Sequence, residues 1–187
     1  MSTVTANAPV QDVIGLLRHQ HERIRELFDL VGRSAGTARA EALDRLVRLL
    51  AVHETAEEEI VHPVARRALP GGEEVVAERT AEEAAAWRAL TELYAMDPDG
   101  PEFAARLARL RGDVLAHARA EEAEEFSRLG DAFSDAQRRA LAGAVKAAEA
   151  MEPAVRTAPG TAPAGLPAGP PAAVLERARD LIRDALA

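Results

Sequence analysis

The sequence of 187 residues contains no cysteine. Disulfide bridges, thiolate zinc sites, iron–sulfur clusters and thiol catalysis are therefore excluded. Aromatic residues make up only 3% of the chain, which disfavours a sheet protein. No apolar run approaches the roughly 18 residues of a membrane span, and residues 1–10 lack the charged and apolar regions of a signal peptide. We therefore expect a cytoplasmic protein with no membrane partner.

Basic residues are also fewer than acidic ones, 23 against 31, which gives a net charge of −8 at pH 7. The arginines are interspersed with acidic residues, so the sequence shows no basic face for a nucleic acid and predicts no such partner. What the chain does have is 48% hydrophobic and 29% charged residues, dominated by Ala, Leu, Arg and Glu. This composition is typical of an all-α protein.

Apolar residues recur every three or four positions in four long segments, which are separated by turn sequences such as residues 70–72 and 97–101. The pattern predicts an up-down-up-down four-helix bundle with extra C-terminal helices. The capping sequence that begins at Ser134 and ends at Gln137 predicts a further helix after the fourth. Pro63 interrupts the second helix and predicts a kink or an early end there.

Composition divides the chain into three parts. Residues 10–152 carry the bundle and the helix that follows it. Residues 153–171 are rich in Pro, Gly and Ala, which is typical of a linker. Residues 172–187 regain a helical period, and we expect an amphipathic helix that docks on the bundle or on a partner.

One pattern occurs twice in the sequence. A His is followed four residues later by a Glu, with Ala before that Glu and a second Glu after it. The two copies are His53 with Glu57 and His117 with Glu121. Residues i and i+4 lie on one face of a helix, so each copy can aim an imidazole and a carboxylate at the same point.

Two more residues interrupt the apolar stripes, His21 on the first helix and Glu83 on the third, although the third stripe can also be drawn with Glu83 at its margin. Burying carboxylates is strongly unfavourable unless they are paired or bound to a cation. A set of buried hydrogen-bonded pairs is the alternative, but the repeat favours a metal site. Its predicted ligands are His21, His53, Glu57, Glu83, His117 and Glu121.

The ligand types constrain the metal. Imidazole and carboxylate without thiolate suit iron, manganese or zinc. Six ligands exceed the needs of one tetrahedral zinc ion, so a two-metal site with ions ~3.5–4 Å apart fits the count better. Glu57 and Glu121 are the natural bridging carboxylates.

The neighbouring polar residues are assigned to supporting roles. His62, beside Pro63, is predicted to line the site or to support a ligand. Most of the acidic neighbours of the repeat are predicted to lie on a solvated face or in salt bridges, namely Glu54, Glu58 and Glu122.

Three segments carry a resemblance to a known family. They are residues 12–22 (DVIGLLRHQHE), residues 53–63 (HETAEEEIVHP) and residues 117–126 (HARAEEAEEF). Over about residues 10–130 the chain resembles the hemerythrin-like, or HHE cation-binding, family. The resemblance implies a four-helix bundle that holds a non-haem di-iron centre with an oxo or hydroxo bridge. It implies a protein that binds oxygen, senses oxygen, iron or redox state, or handles peroxide and nitric oxide.

The resemblance assigns five ligands by position, and the third helix departs from the family pattern. The family has a His there, but this chain has no His between His62 and His117. One alignment places Ala84 at that position and leaves it without a ligand. We prefer the alignment that places Glu83 there, because it belongs to the stripe that continues through Trp87. The added negative charge would favour ferric iron and shift the site from reversible oxygen carriage toward oxidase, peroxidase or iron-handling behaviour.

Three functions remain open at this point. The first is a di-iron protein that reacts with or senses O2, peroxide or NO. The second is a non-catalytic, metal-stabilised bundle whose C-terminal helix serves an interaction. The third is an oxidase of the ferritin–rubrerythrin kind, which ranks lower because those proteins use Glu-x-x-His rather than His-x-x-x-Glu.

Overall fold

A computed structural model describes residues 12–150 and 171–186, and every regular element within these ranges is helical. The predicted all-α class is thereby confirmed. The predicted linker, 153–171, lies outside the described residues except for its last residue. The elements are α1 (Val13–Arg33), α2 (Gly36–Ala56), a π-helical segment (Glu57–Val61), α3 (His62–Ala68), α4 (Gly72–Tyr94), α5 (Phe103–Glu124), α6 (Phe126–Ala132), α7 (Asp135–Ala150) and α8 (Pro171–Leu186).

The helices enclose one apolar core. Helix α1 packs on α2, α5 and α7, while α4 packs on α3 and α5. Helix α8 packs on α2 and α7. Leu17, Ile24 and Phe28 give α1 a buried apolar stripe at the predicted spacing. Of the helices described, none is long and apolar enough to cross a membrane.

Two helix starts are fixed by side-chain caps. The Asp12 carboxylate accepts a hydrogen bond of 2.9 Å from the Gly15 N–H and caps α1. At the start of α7 the Gln137 N–H donates to the Ser134 hydroxyl at 3.3 Å. The Ser134 N–H donates to the Gln137 side-chain oxygen at 2.9 Å. This reciprocal pair is the capping box that the sequence predicted, and α7 follows it.

The second long helix contains the irregularity that Pro63 predicted. Proline has no N–H and its ring clashes with the carbonyl four residues earlier, here that of Glu59. The chain widens into the π-helical segment just before the proline, and the His62 N–H donates to the Glu57 carbonyl five residues back. Helix α3 then continues, so the proline changes the helical register instead of ending the helix.

A close contact between α3 and α4 gives a stability prediction. A Cβ on Gly72 would lie 2.5 Å from the Ala65 carbonyl oxygen and 2.6 Å from that of Arg66. Gly72→Ala is therefore expected to lower the free energy of unfolding by about 1–3 kcal/mol through overpacking. Gly112→Ala in α5 is the matched control, because nothing lies within 4 Å of its Cβ position. Its free energy of unfolding should rise by ~0.5–1 kcal/mol. Urea denaturation measures both, and a shift in the same direction for both variants contradicts the contact.

Candidate metal centre

Four buried residues from four helical segments form the first ligand group. His21 comes from α1, His53 from α2, Glu57 from the π-helical segment and Glu121 from α5. One ligand atom from each lies within 4.8 Å of all the others. The Nε2 atom of His53 is 3.1 Å from Oε1 of Glu57, and Nε2 of His21 is 3.4 Å from Oε2 of Glu121. Two imidazoles and two carboxylates therefore face one point.

The second ligand group shares two residues with the first. Glu57 and Glu121 belong to both, and Glu83 of α4 and His117 of α5 complete the second group within the same 4.8 Å limit. The Nε2 atom of His117 is 3.4 Å from Oε1 of Glu121 and 3.9 Å from Oε1 of Glu83. The structure thus brings all six predicted residues together, with the two predicted bridging carboxylates between the two groups.

The interior atoms of this cluster lack hydrogen-bond partners. Both carboxylate oxygens of Glu57 and of Glu121 are buried without one, as are the Nε2 atoms of His21 and His117. Both glutamates are 0% exposed. Buried ionised oxygens are costly unless a positive charge compensates them. The donor set, oxygens and imidazole nitrogens without thiolate, fits iron, manganese or zinc ions at these two points.

Outer hydrogen bonds hold the imidazoles with Nε2 directed inward. The Nδ1 atom of His21 is 2.7 Å from a Glu122 oxygen. That of His53 is 3.0 Å from the Gln20 amide oxygen, and that of His117 is 2.9 Å from a Glu82 oxygen. Each acceptor calls for a proton on Nδ1, which leaves the Nε2 lone pair for a cation. Such outer partners are typical of metal-binding histidines.

The carboxylates control the protonation of two of these rings in the absence of a cation. Burial alone would lower the pKa of His21, but the nearby carboxylates of Glu121 and Glu57 outweigh it and raise the pKa to about 10. Burial also lowers the pKa of His117, while Glu121 and Glu57 raise it to about 11. The metal-free rings are therefore protonated at neutral pH, and a bound cation must displace those protons.

His62 lies outside both groups, in the supporting role predicted for it. Its Nε2 atom is 2.7 Å from Oε1 of Glu83, and its Nδ1 atom is 3.5 Å from Oε2 of Glu125. Glu125 also contacts Arg79, whose Nε atom is 3.6 Å from Oε1 of Glu125. Arg79 and Glu125 are both buried, and no sequence pattern predicts a role for either of them. Glu83 thus lies between the ligand cluster and this buried row of charged side chains.

Glu54 is buried, unlike the two other acidic neighbours of the repeat. Most of these three residues are expected on a solvated face or in salt bridges, and Glu54 is the exception: its exposure is only 9%, and it has no hydrogen bond or ion pair among the described residues. Burial, together with Glu83 and Glu57, raises its pKa well above the usual range. Its spacing of three residues from Glu57 is the signal that places it on the inner face.

The other two neighbours of the repeat behave as predicted. Glu58 forms a salt bridge with Arg179, and Glu122 supports His21. Both therefore act from outside the ligand cluster.

A cavity of about 690 Å³ adjoins the ligand cluster between α4 and α5. At its inner end it is lined by His117 and Glu83. Alanines of α4, among them Ala86 and Ala89, form much of one wall, because their short side chains leave the space unfilled. The exposed Arg109 lines it farther along α5. The cavity gives a small molecule a route to the cluster.

Comparison with known proteins places this geometry in a family context. The family model described as the hemerythrin HHE cation binding domain matches residues 12–129. A protein of Nostoc sp. (strain PCC 7120 / SAG 25.82 / UTEX 2576) that is named DNA nickase is 29% identical over 152 residues. The aligned region covers 80% of this chain and 43% of that protein, so this chain spans less than half of its length. No solved structure matches the chain.

The family match covers well over half of the chain and contains all six residues of the two ligand groups. It confirms the resemblance seen in the three sequence segments. A buried His and Glu cluster inside an all-helical fold is the arrangement expected of a cation-binding domain. The chain belongs to the hemerythrin HHE cation-binding domain family.

Proposed function

We propose that this protein holds two iron ions at the two ligand groups and that it reacts with or senses O2, peroxide or NO. The observation that carries the proposal is the pair of shared carboxylates, Glu57 and Glu121, whose four oxygens are buried without hydrogen-bond partners. Manganese or zinc would suit the same donors and is an outcome of the metal analysis. We further infer that α1, α2 with α3, α4, and α5 form an up-down-up-down bundle around the ions.

The residues around the cluster orient its metal-binding atoms and leave space for a small molecule to reach it. His21, His53 and His117 present Nε2 to the interior because their Nδ1 atoms are held from outside. When bound, iron supplies the electrons and the open coordination positions that such molecules require. The cavity between α4 and α5 admits a molecule from the side of Glu83 and His117. Glu83 keeps its carboxylate at the second group through its hydrogen bond with His62.

The oxygen-rich donor set of the second group favours some of these reactions over others. Glu83 brings a carboxylate where the family pattern has a third-helix imidazole, and negative donors stabilise ferric over ferrous iron. We therefore propose oxidase, peroxidase or iron-handling behaviour ahead of reversible oxygen carriage. A bleachable, reversible oxygen adduct of the reduced protein contradicts this choice.

Metal analysis of full-length protein from iron-replete cells tests the proposal. We expect about two iron ions per chain, the number that a two-metal site holds. When the reduced, iron-loaded protein is mixed with each molecule in turn, it should be oxidised by O2 or peroxide, or it should bind NO. Well under one iron per chain overturns the proposal. A fully loaded protein that is inert to all three molecules favours the second function, a metal-stabilised bundle that acts through interactions.

We do not propose a DNA nickase activity for this chain, although its Nostoc relative carries that name. The alignment covers less than half of that protein. This chain carries a net charge of −8, which opposes binding to a phosphate backbone. We propose small molecules as its partners and no nucleic acid.

A further inference from the structure

Helix α8 lies beyond the residues that the family model matches, and it contacts the part of the bundle that carries Glu57. The Nε and Nη2 atoms of Arg179 are each 3.1 Å from the same oxygen of Glu58. The Nε atom of Arg183 donates to Glu59 at 2.7 Å. Both acidic partners belong to the π-helical segment, so α8 is tied to that segment by two charged contacts.

The two acids occupy the outer side of the segment, and Glu57 occupies its inner side. Glu57 is 0% exposed, whereas the Glu58 side chain is 43% exposed and that of Glu59 is 23% exposed. A π-helical turn is a rarer and less favourable backbone conformation than an α-helix. Pro63 also removes one backbone hydrogen-bond donor just after this turn. The backbone alone therefore fixes the direction of Glu57 less firmly than a regular helix would.

Helix α8 has its own support from the bundle. It packs along α2 and α7 and also contacts α4. Ala178, next to Arg179, is 0% exposed. The two arginines thus reach the π-helical segment from a helix that is anchored elsewhere, which is what an external support requires.

We propose that Arg179 and Arg183 are positioning residues for Glu57, and that docking of α8 and metal binding at the centre stabilise each other. The proposal rests on the metal centre proposed above. Thermodynamic linkage makes the effect reciprocal: an ion that holds Glu57 inward favours the docked helix, and the docked helix favours the ion. Because each contact is partly exposed, the coupling is modest, about threefold to tenfold in metal affinity for the two contacts together.

The test uses full-length protein with Co²⁺ as a visible probe of the centre. In the double variant Arg179→Glu, Arg183→Glu we expect Co²⁺ affinity to fall by about threefold to tenfold and its absorption spectrum to change. Arg177→Glu is the control, because Arg177 lies exposed on α8 and no ion pair is found for it among the described residues. A charge exchange, Glu58→Arg with Arg179→Glu, should recover affinity relative to either single variant.

Hydrogen exchange supplies the reciprocal measurement. Adding Co²⁺ to the wild type should slow amide exchange in α8, and it should have no such effect in the double variant. Equal affinities and equal spectra for the wild type, Arg177→Glu and the double variant overturn the positioning role while the metal centre stands. The same loss in Arg177→Glu as in Arg179→Glu also overturns it. A wild type that binds no metal ion at all instead overturns the proposed function.

Discussion

Glu57→Ala or Glu121→Ala is expected to reduce bound iron from about two ions per chain to well below one, because each carboxylate serves both positions. His21→Ala and His117→Ala each remove a donor from one group only. Each should leave about one ion per chain. Plasma emission spectrometry on protein purified from iron-replete cells gives the ratio directly.

Glu78→Ala provides the matched control for this series. Glu78 is exposed on α4, outside both ligand groups, and its removal should leave the iron content unchanged. The shared-carboxylate geometry is wrong if Glu57→Ala loses the same amount of iron as His21→Ala. Circular dichroism on each variant separates loss of metal from loss of helix.

Metal loading is expected to raise the melting temperature by an amount that grows between about pH 6.5 and pH 10. The metal-free protein holds His21 with a pKa of about 10 and His117 with a pKa of about 11, both above the usual value. A raised folded-state pKa gives stability that is fully present below pH 6.5 and is lost as the pH rises through the folded value. In the loaded protein these nitrogens bind metal and no longer take up protons, so that loss does not occur.

Thermal unfolding of loaded and metal-free protein at several pH values measures this difference. With free metal near a thousandfold above its dissociation constant, the loaded protein gains ~4 kcal/mol. For a chain of this size that gain corresponds to a rise of about 8–16 °C. Glu57→Ala should show no difference between the two preparations at any pH. A difference that shrinks as the pH rises would contradict the assigned protonation of His21 and His117.

The sequence predicts which of these residues lie together, because the signal is local. The spacing of His53 from Glu57 and of His117 from Glu121 places each pair on one face of its helix, whatever lies around it. His21 and Glu83 were found in the same way, as polar interruptions of apolar stripes. Of the two alignments of the third helix, the one with Glu83 names a residue that the structure brings beside His117 and the two shared glutamates.

The features that the sequence missed depend on packing between helices. The widening before Pro63 changes the register of the residues that follow, so a regular helical wheel cannot place them. Arg79 and Glu125 read as surface charges in their own segments, and only the meeting of α4 with the end of α5 buries them together. The burial of Glu54 depends in the same way on its surroundings, because the residue lies next to His53 in the sequence and outside the repeated spacing of four.

The two ligand groups share Glu57 and Glu121 but differ in their other donors. The first adds two imidazoles, and the second adds one imidazole and the Glu83 carboxylate. Two ions of the same element would therefore bind with unequal strength, and the nitrogen-rich position suits softer ions than the oxygen-rich one. In the proposed two-metal site, filling would then proceed stepwise, and a cell with several available metals could assemble a mixed pair. The difference that Glu83 of α4 makes between the two groups would thus make metal supply itself a determinant of which form of the protein is present.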